Sequence, residues 1–293
     1  TSSQQALALC ATVLTDIGDH VLVEDPMYHG ARKAIAAAGV ECLAVPVDRH
    51  GMQVEGIIER APDARAVFLT PSHQFPSGTT LSLERRLAVI EWARQRRAWI
   101  IEDDYDSEFH YEGRPTACVQ GLDPHDRTLY IGTFTKSMFP GLRIGYLVLP
   151  PQLVGPMTAA RTLQDGHNAS LAQLTLARFI EGGHFSAHVR TMRALYAARR
   201  DILAEQVQNR LGEFLTPQVP AGGMQLPCYF NRPMNEQAIV TAAQAVGVDL
   251  LGMGGLYARA RNDVGFLMGF AAHTPAELAS ATGRLEKILR EMA

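Results

Sequence analysis

Lysine is the scarcest charged residue of this sequence, with three lysines among 27 lysine and arginine residues. Lys33 falls in a run typical of an exposed helix, and Lys287 in a final amphipathic helix. Lys136 stands at a strand-to-loop junction crowded with Thr, Ser, Gly and Pro. An arginine guanidinium stays protonated, whereas a lysine ammonium can be tuned to lose its proton. Amine chemistry in this chain therefore points to Lys136.

Other features are missing as well. The net charge of −3 excludes a general attraction to nucleic acid or anionic membranes. Since no apolar run reaches the roughly 18 residues needed to span a bilayer, no membrane contact is expected. The four scattered cysteines form no CxxC pair, so they predict reduced thiols and no metal site. With no targeting signal at the start of the sequence as given, a cytoplasmic location is expected.

Short apolar segments alternate with helical periodicity in the first half of the chain. This pattern predicts an α/β domain with a mostly parallel sheet covered on both faces, over residues 1–160. Residues 161–293 read as linking helices and a smaller α+β domain. The predicted strands are Val21–Val23, Val40–Val47, Ala66–Leu69, Trp99–Ile101, Thr128–Ile131 and Gly145–Leu149, and helices are predicted between them, including one over Val54–Arg60.

Polar clusters follow four of these strands. Tyr28, His73, Asp103 with Tyr105, and Lys136 each come just after a strand. In parallel sheets, ligands bind at the carboxyl ends of the strands. We therefore expect Lys136 to form a Schiff base with a carbonyl cofactor or substrate; the alternative is an ordinary surface lysine in a loop.

Pyridoxal phosphate (PLP) is a carbonyl cofactor that these clusters would suit. It requires a lysine, a carboxylate at the pyridine nitrogen, a donor to the ring oxygen and a phosphate cup. Asp103 is the candidate carboxylate. Tyr105 lies on the same face of an extended segment and could reach the ring oxygen, whereas Asp104 points the other way. The alternative for Asp103 is a strand-end turn acid.

A phosphate cup would combine an arginine, hydroxyl groups and the start of a helix. The candidates for it are Ser2, Ser3, Gln4, Thr133, Thr135 and Arg143. Ser2 or Ser3 could instead be a plain N-cap, and Arg143 could pair with a nearby carboxylate.

Two further side chains are candidates for cofactor contact. Tyr28 could stack on a pyridine ring, although simple core packing is an equal alternative. His73 could touch the cofactor, although a loop histidine with its hydrogen bonds satisfied is the alternative.

Four sequence segments carry a resemblance to a known family. They are Glu24-Asp-Pro-Met-Tyr-His-Gly30, Thr70-Pro-Ser-His-Gln-Phe-Pro-Ser-Gly78, Glu102-Asp-Asp-Tyr-Asp-Ser-Glu-Phe109 and Gly132-Thr-Phe-Thr-Lys-Ser-Met-Phe-Pro-Gly-Leu-Arg143, and a fifth run over His188–Arg200 adds to them. With them the chain resembles fold-type-I, aspartate-aminotransferase-like proteins. More narrowly, it is similar to the aminotransferase-like effector domain of MocR-type transcription regulators of the GntR superfamily.

The resemblance implies a PLP-dependent transferase fold and a role for each central residue. Lys136 would be the aldimine lysine, Asp103 the partner of the pyridine nitrogen, Tyr105 that of the ring oxygen and Arg143 that of the phosphate. It also implies a homodimer. In such regulators a winged helix-turn-helix domain binds DNA; that domain and the first part of the aminotransferase fold are expected to be absent from this sequence.

The chain departs from the pattern of ordinary aminotransferases in three places. Phe75 stands where an asparagine contacts the ring oxygen. The strand written Gly265–Gly269 has no arginine for a substrate carboxylate, although Arg259 and Arg261 are near it in sequence. The opening serines stand where a glycine is usual in the phosphate cup.

Three functional hypotheses follow. The first is a regulator domain that senses an amino compound through aldimine formation with little turnover. The second is an active aminotransferase that moves an amino group between an amino acid and a 2-oxo acid, with Lys136 also moving a proton. The third is a fragment that binds no cofactor.

Overall fold

The computed structural model describes residues 2–55, 57 and 61–293. The chain divides into two units. The first contains residues 1–75, 79–107 and 114–188, and the second contains residues 76–78, 108–113 and 189–293. All candidate site residues belong to the first unit.

The first unit is built on a seven-stranded sheet in the order β3-β2-β1-β4-β5-β6-β7. Its strands are β1 (His20–Asp25), β2 (Glu41–Asp48), β3 (Gly51–Met52), β4 (Ala66–Leu69), β5 (Trp99–Asp104), β6 (Thr128–Thr133) and β7 (Gly145–Val148). Strands β2, β1, β4, β5 and β6 pair in parallel with one another, whereas β3 pairs antiparallel with β2 at one edge and β7 with β6 at the other. The predicted PLP-transferase-like α/β fold is confirmed.

Alternate residues of each central strand pack into two separate cores. In β1, Val21 and Val23 join the core under α1 and α2, while Leu22 joins the core under α3. The helices of this unit are α1 (Ser2–Leu14), α2 (His29–Ala37), α3 (Leu83–Arg96), α4 (Val119–Leu122), α5 (Pro151–Asp165), α6 (Ser170–Glu181) and the start of α7 (His184–Gln206). A sheet covered on both faces explains why its strands read as continuous apolar runs.

Helix α5 was not predicted, because Pro151 and Pro156 masked its pattern. Pro151 occupies the first turn, where proline is tolerated, and Pro156 lies inside the helix. Leu153 and Met157 of α5 pack into the core under α1. Residues 161–188 belong to the first unit, whereas the sequence prediction placed them with the C-terminal part. The helix predicted over 54–60 falls mostly outside the described residues.

The second unit contains a four-stranded antiparallel sheet in the order β10-β11-β9-β8. Its strands are β8 (Leu215–Pro217), β9 (Gln225–Phe230), β10 (Leu251–Gly252) and β11 (Gly265–Gly269). Its helices are the remainder of α7, which continues as one π-helical turn (Val207–Leu211), α8 (Glu236–Ala245) and α9 (Pro275–Glu291). Thr274 begins α9 with a complete capping box with Glu277.

Within the described ranges, we find no helix with the length and apolar character that a membrane span requires. The four cysteines are free thiols.

Candidate functional site

The carboxyl ends of four parallel strands, β1, β4, β5 and β6, carry the predicted site residues. Asp103 in β5 is in register with Ile131 in β6, two residues before Thr133. Ile101 and Ile131 both belong to the core under α1. Because side chains alternate along a strand, Asp103 and Thr133 share that face of the sheet. The strand ends therefore direct a carboxylate and a hydroxyl toward the beginning of α1.

Asp103 is a buried carboxylate that lacks a full set of partners. Its side chain is 5% exposed, and its Oδ1 atom has no hydrogen-bond partner among the described residues. Burial raises the pKa of Asp103 to about 7, and the charges of Asp104, Asp106 and Glu24 add to the effect. A buried carboxylate oxygen of this kind is costly unless a cation or donor pairs with it.

Three hydroxyl groups meet at the start of α1. The Ser2 Oγ atom lies 2.9 Å from Thr133 Oγ1 and 2.6 Å from Thr135 Oγ1. The Thr135 backbone N–H also donates to Thr133 Oγ1 at 3.1 Å. Because a helix N-terminus presents free N–H groups, this hydroxyl cluster and the first turn of α1 form a suitable anion site.

The remaining phosphate candidates lie around this hydroxyl cluster. Ser3 and Gln4 are half-buried in the first turn of α1. Arg143 ends a short 3₁₀ turn (Pro140–Leu142) with φ +53°, and its side chain is exposed. Arg143 and Ser2 line the same cavity of about 400 Å³. An arginine beside hydroxyls and a helix start is an arrangement that binds phosphate.

Glycine is required at residue 145 by a close approach. A Cβ atom there would lie 2.9 Å from the Gly132 carbonyl oxygen and 3.1 Å from the Ser2 Cα atom. The backbone of β7 therefore packs directly against the first residue of α1. This contact helps to fix the position of the hydroxyl cluster.

Lys136 lies in the turn that follows β6, and its side chain is exposed. The next residue, Ser137, is 1% exposed, and its carbonyl oxygen accepts a hydrogen bond from His188 Nε2 at 3.0 Å. The buried Ser137 and its bond to α7 anchor the turn, while Lys136 points away from the core.

Tyr28 is held at the site edge and is not packed in the core. Its ring is 41% exposed, which excludes the core-packing alternative. Its hydroxyl donates to Gln4 Oε1 at 3.4 Å, and Gln4 Nε2 donates to the Gly30 carbonyl at 2.9 Å. The Phe75 ring packs edge-on against Tyr28, with centroids 5.8 Å apart. Part of the Tyr28 side chain is thus open to solvent beside the strand ends.

His73 has hydrogen-bond partners that place it beside Tyr105. Its Nδ1 atom lies 2.9 Å from the Tyr105 hydroxyl and 3.1 Å from Asp106 Oδ2. Burial lowers the pKa of His73, but the charge and hydrogen bond of Asp106 outweigh it, so the net direction is upward. The Nε2 atom is buried without a partner among the described residues. The alternative of a loop histidine with all its hydrogen bonds made is thus met at Nδ1 but not at Nε2.

Sequence reasoning missed the residues that support this site. Asp106, which binds His73, and Phe75, which packs between Tyr28 and Tyr105, were not predicted to have these contacts. The only available signal was their position next to candidate residues. Asp104, which the sequence analysis left outside the site, accepts a hydrogen bond at its Oδ2 from the Tyr130 hydroxyl at 2.8 Å.

The structure joins the predicted residues into two groups. One is the hydroxyl cluster of Ser2, Thr133 and Thr135, and the other is a chain of contacts from Gln4 through Tyr28, Phe75 and Tyr105 to His73. Asp103 and Lys136 lie at neighbouring strand ends without a direct contact between them. The whole arrangement fits a molecule with an anionic group, a ring and a protonated nitrogen.

Comparison with known proteins gives this geometry a family. A family model described as aminotransferase class I and II matches residues 1–285. A probable rhizopine catabolism regulatory protein, MocR of Rhizobium meliloti, is 37% identical over 93% of this chain and 55% of its own length. The HTH-type transcriptional regulator TauR of Rhodobacter capsulatus is 31% identical over 98% of this chain and 59% of its own.

Among solved structures, the kynurenine aminotransferase of Pyrococcus horikoshii, in complex with PMP, superimposes with a TM-score of 0.92. It is 28% identical, over 99% of this chain and 74% of the other. The chain spans about half the length of the curated regulators that it matches. By family model and by relatives, the chain belongs to the class I and II aminotransferase family.

Proposed function

We propose that this chain is the PLP-binding, aminotransferase-like effector part of a transcription regulator and that it senses an amino compound. The observation that carries the proposal is the buried Asp103 carboxylate at the strand end next to the hydroxyl cluster, with one oxygen that has no partner among the described residues. Asp103 suits a protonated pyridine nitrogen, and the hydroxyl cluster suits a phosphate. A single molecule of PLP offers both.

Each residue has a task in this proposal. When bound, PLP supplies an aldehyde that reacts with amines and a ring that withdraws electrons. Lys136 holds the cofactor through its amine, and Asp103 keeps the proton on the pyridine nitrogen by its charge. Tyr28 covers one face of the ring, and Tyr105 donates to the ring oxygen. The phosphate is bound by Ser2, Ser3, Gln4, Thr133, Thr135 and Arg143.

The sequence comparisons favour a regulator over an enzyme. The regulators MocR and TauR are 37% and 31% identical to this chain, whereas an aromatic-amino-acid aminotransferase of Thermococcus litoralis is 28% identical. In addition, β11 has the sequence Gly-Phe-Leu-Met-Gly, without an arginine for a substrate carboxylate. We assign DNA binding to a winged helix-turn-helix segment outside this chain, and we place the protein in the cytoplasm.

A homodimer is part of the proposal, supported by the exposed apolar residues of α5 and α6. Leu163 and Leu171 are 89% and 81% exposed, and Leu174 is 66% exposed. Leu176 is the one buried residue of α6. Large leucines in water favour association, and a second copy would present the same residues in a two-fold contact.

An active aminotransferase is the second candidate. It is favoured by the structural similarity to the Pyrococcus horikoshii enzyme, whose crystals held substrates and products. In this case the Lys136 amine would also move the proton of the substrate, as a general base must.

The test is a visible absorption spectrum of the purified chain with added PLP, followed by titration with a panel of amino acids. A visible band that depends on Lys136 is expected. Lys136→Ala should abolish the band and leave the fold intact, and Lys33→Ala, an exposed lysine of α2, should change neither. A Lys136→Ala variant as yellow as wild type would contradict the assignment.

The titration separates the two candidates. A band that shifts with one amino compound and stays shifted supports a sensor. A band that bleaches, and returns when a 2-oxo acid is added, supports an aminotransferase. A wild-type chain without the band overturns both candidates and leaves only an ancestral relation to PLP proteins.

A further inference from the structure

His73 contacts two side chains, Tyr105 and Asp106, that a direct contact between His73 and the cofactor would not require. His73 lies in the loop after β4, and Tyr105 and Asp106 follow β5 directly. A single nitrogen, His73 Nδ1, is within hydrogen-bond distance of both oxygens, at 2.9 and 3.1 Å. The side chains of His73 and Asp106 are 11% and 3% exposed. The contact is therefore shielded from water, which strengthens it.

The chemistry of the three groups fixes the direction of these bonds. An ionised carboxylate only accepts hydrogen bonds, so a ring nitrogen 3.1 Å from Asp106 Oδ2 must carry a hydrogen. That Nδ1–H also faces the Tyr105 oxygen, which therefore acts as an acceptor toward His73. The Tyr105 hydroxyl hydrogen cannot point at Nδ1 and must be directed elsewhere.

Burial, together with the surrounding carboxylates, keeps that hydroxyl protonated. Burial raises the pKa of Tyr105 well above its usual value, and the carboxylates of Asp106, Asp103, Glu24 and Asp104 raise it further. Tyr105 thus stays a hydrogen-bond donor over the whole physiological range. Its ring is also packed edge-on by Phe75, with centroids 6.3 Å apart.

The loop that carries His73 is itself held in place. Thr70 donates to Glu24 Oε2 from its backbone N–H at 3.1 Å and from its hydroxyl at 2.6 Å. The guanidinium of Arg86, which is fully buried, donates to the Pro71 carbonyl at 2.6 Å. These buried bonds preorganise the imidazole before any ligand arrives.

We propose that His73, held by Asp106, is a positioning residue that turns the Tyr105 hydroxyl hydrogen toward the ring oxygen of the bound cofactor. This inference rests on the proposed PLP binding, in which Tyr105 is the donor to that oxygen. His73 acts through Tyr105.

The test is a double-mutant cycle on the PLP-loaded chain, read as the pH midpoint of the Lys136-dependent absorption band. A donor to the ring oxygen favours the deprotonated chromophore, so its loss raises the midpoint. His73→Phe and Tyr105→Phe should each raise it by about one pH unit, a tenfold change in proton affinity. Because both act through one hydroxyl, the double variant should match Tyr105→Phe alone.

Two further variants make the comparison sharper. His73→Asn keeps an N–H donor and should shift the midpoint less than His73→Phe. His20→Phe is the matched control, since it also removes a histidine bonded to aspartate, here Asp63, but at the amino end of β1. It should leave the midpoint unchanged.

A second measurement needs no cofactor. In the chain labelled with ¹⁵N-histidine, the His73 Nδ1 proton should be visible by NMR and protected from exchange, and Asp106→Asn should remove that protection. An Nδ1 atom without a proton overturns the proposal.

The remaining outcomes separate the two claims. An unchanged midpoint in His73→Phe, or additive shifts in the double variant, overturns the positioning role alone. A wild-type chain with no band overturns PLP binding and the positioning role with it.

Discussion

The two ends of the central parallel strands carry similar residue types in opposite environments. At the amino ends, His20 lies 3.3 Å from both Glu41 and Asp63, whose side chains are 68% and 69% exposed. Arg65 pairs there with Asp19 at 3.3 Å. These polar side chains are paired with one another, and Glu41 and Asp63 reach into solvent.

The carboxyl ends hold buried acids instead. The carboxylates of Glu24, Asp103, Asp104 and Asp106 there are each less than 10% exposed. Burial, the largest cause in each case, raises the pKa of Glu24 and of Asp103 to about 7 and also raises that of Asp104. Glu24 Oε1 and Asp103 Oδ1 have no hydrogen-bond partner among the described residues.

The difference shows which end of the sheet is built for stability and which for binding. Buried carboxylates without full pairing cost folding free energy, because the charged form loses its hydration. Perturbed acids gathered in one place are typical of functional sites. The acids at the amino ends are exposed and avoid this loss of hydration. Substituting them therefore tests whether the cost in folding free energy is specific to the carboxyl ends.

Asp103→Asn should have the largest effect on stability. The pKa of Asp103 is raised on folding, so the stability it contributes is fully present below its unfolded value near 4 and is lost as the pH rises through about 7. Removing the charge should stabilise the cofactor-free chain by on the order of 3 kcal/mol at pH 8 and by about 1 kcal/mol at pH 5. Urea unfolding at the two pH values measures this.

The same variant should bind PLP less well, since the pyridine nitrogen loses its carboxylate. Higher stability together with weaker PLP binding would show that Asp103 serves ligand binding at the expense of folding stability. Equal stability of wild type and Asp103→Asn at pH 8 would contradict the buried-charge explanation.

The sequence predicted the central sheet well because burial on both faces leaves a strong local signal. The predicted bounds of the strand Ala66–Leu69 and of helix α6 agree with the observed bounds at both ends. Predictions failed where a segment is very short or contains proline and is held by the element it packs against. The two-residue strand β3 exists through its pairing with β2, and α5 through its packing on α1.

The candidate site follows the same rule. Asp103 and Lys136 were found because each follows a strand, and the topology brings strand ends together. Their assigned chemical roles remain predictions. The bonds from Ser2 to Thr133 span 131 residues, and the sequence suggested this proximity only through the phosphate-cup hypothesis. The only signal for the imidazole bond to Asp106 was its position next to Tyr105, since neither residue type nor spacing distinguishes it.

Gly145→Ala should have the next largest effect, because it introduces a Cβ atom between β7 and α1. With backbone atoms of Gly132 and Ser2 at 2.9 and 3.1 Å, we expect a loss of about 1–3 kcal/mol and weaker PLP binding as the hydroxyl cluster moves. Gly155→Ala, in α5 with open space around it, should be neutral or stabilise by about 0.5–1 kcal/mol. Thermal unfolding and PLP titration of both variants provide the measurement, and equal effects would contradict the close-approach argument.

Asp63→Asn should have the smallest effect, because its bond to His20 at the amino ends is exposed. Exposed ion pairs contribute about 0–1 kcal/mol, and salt screens them. The variant should therefore lose less than about 0.5 kcal/mol at low ionic strength and match wild type in 0.5 M salt. Its PLP affinity should be unchanged, since His20 and Asp63 lie at the far ends of the strands. A large or salt-independent loss would mean that the amino ends also store buried charge, and the contrast between the two ends of the sheet would then no longer identify the binding edge.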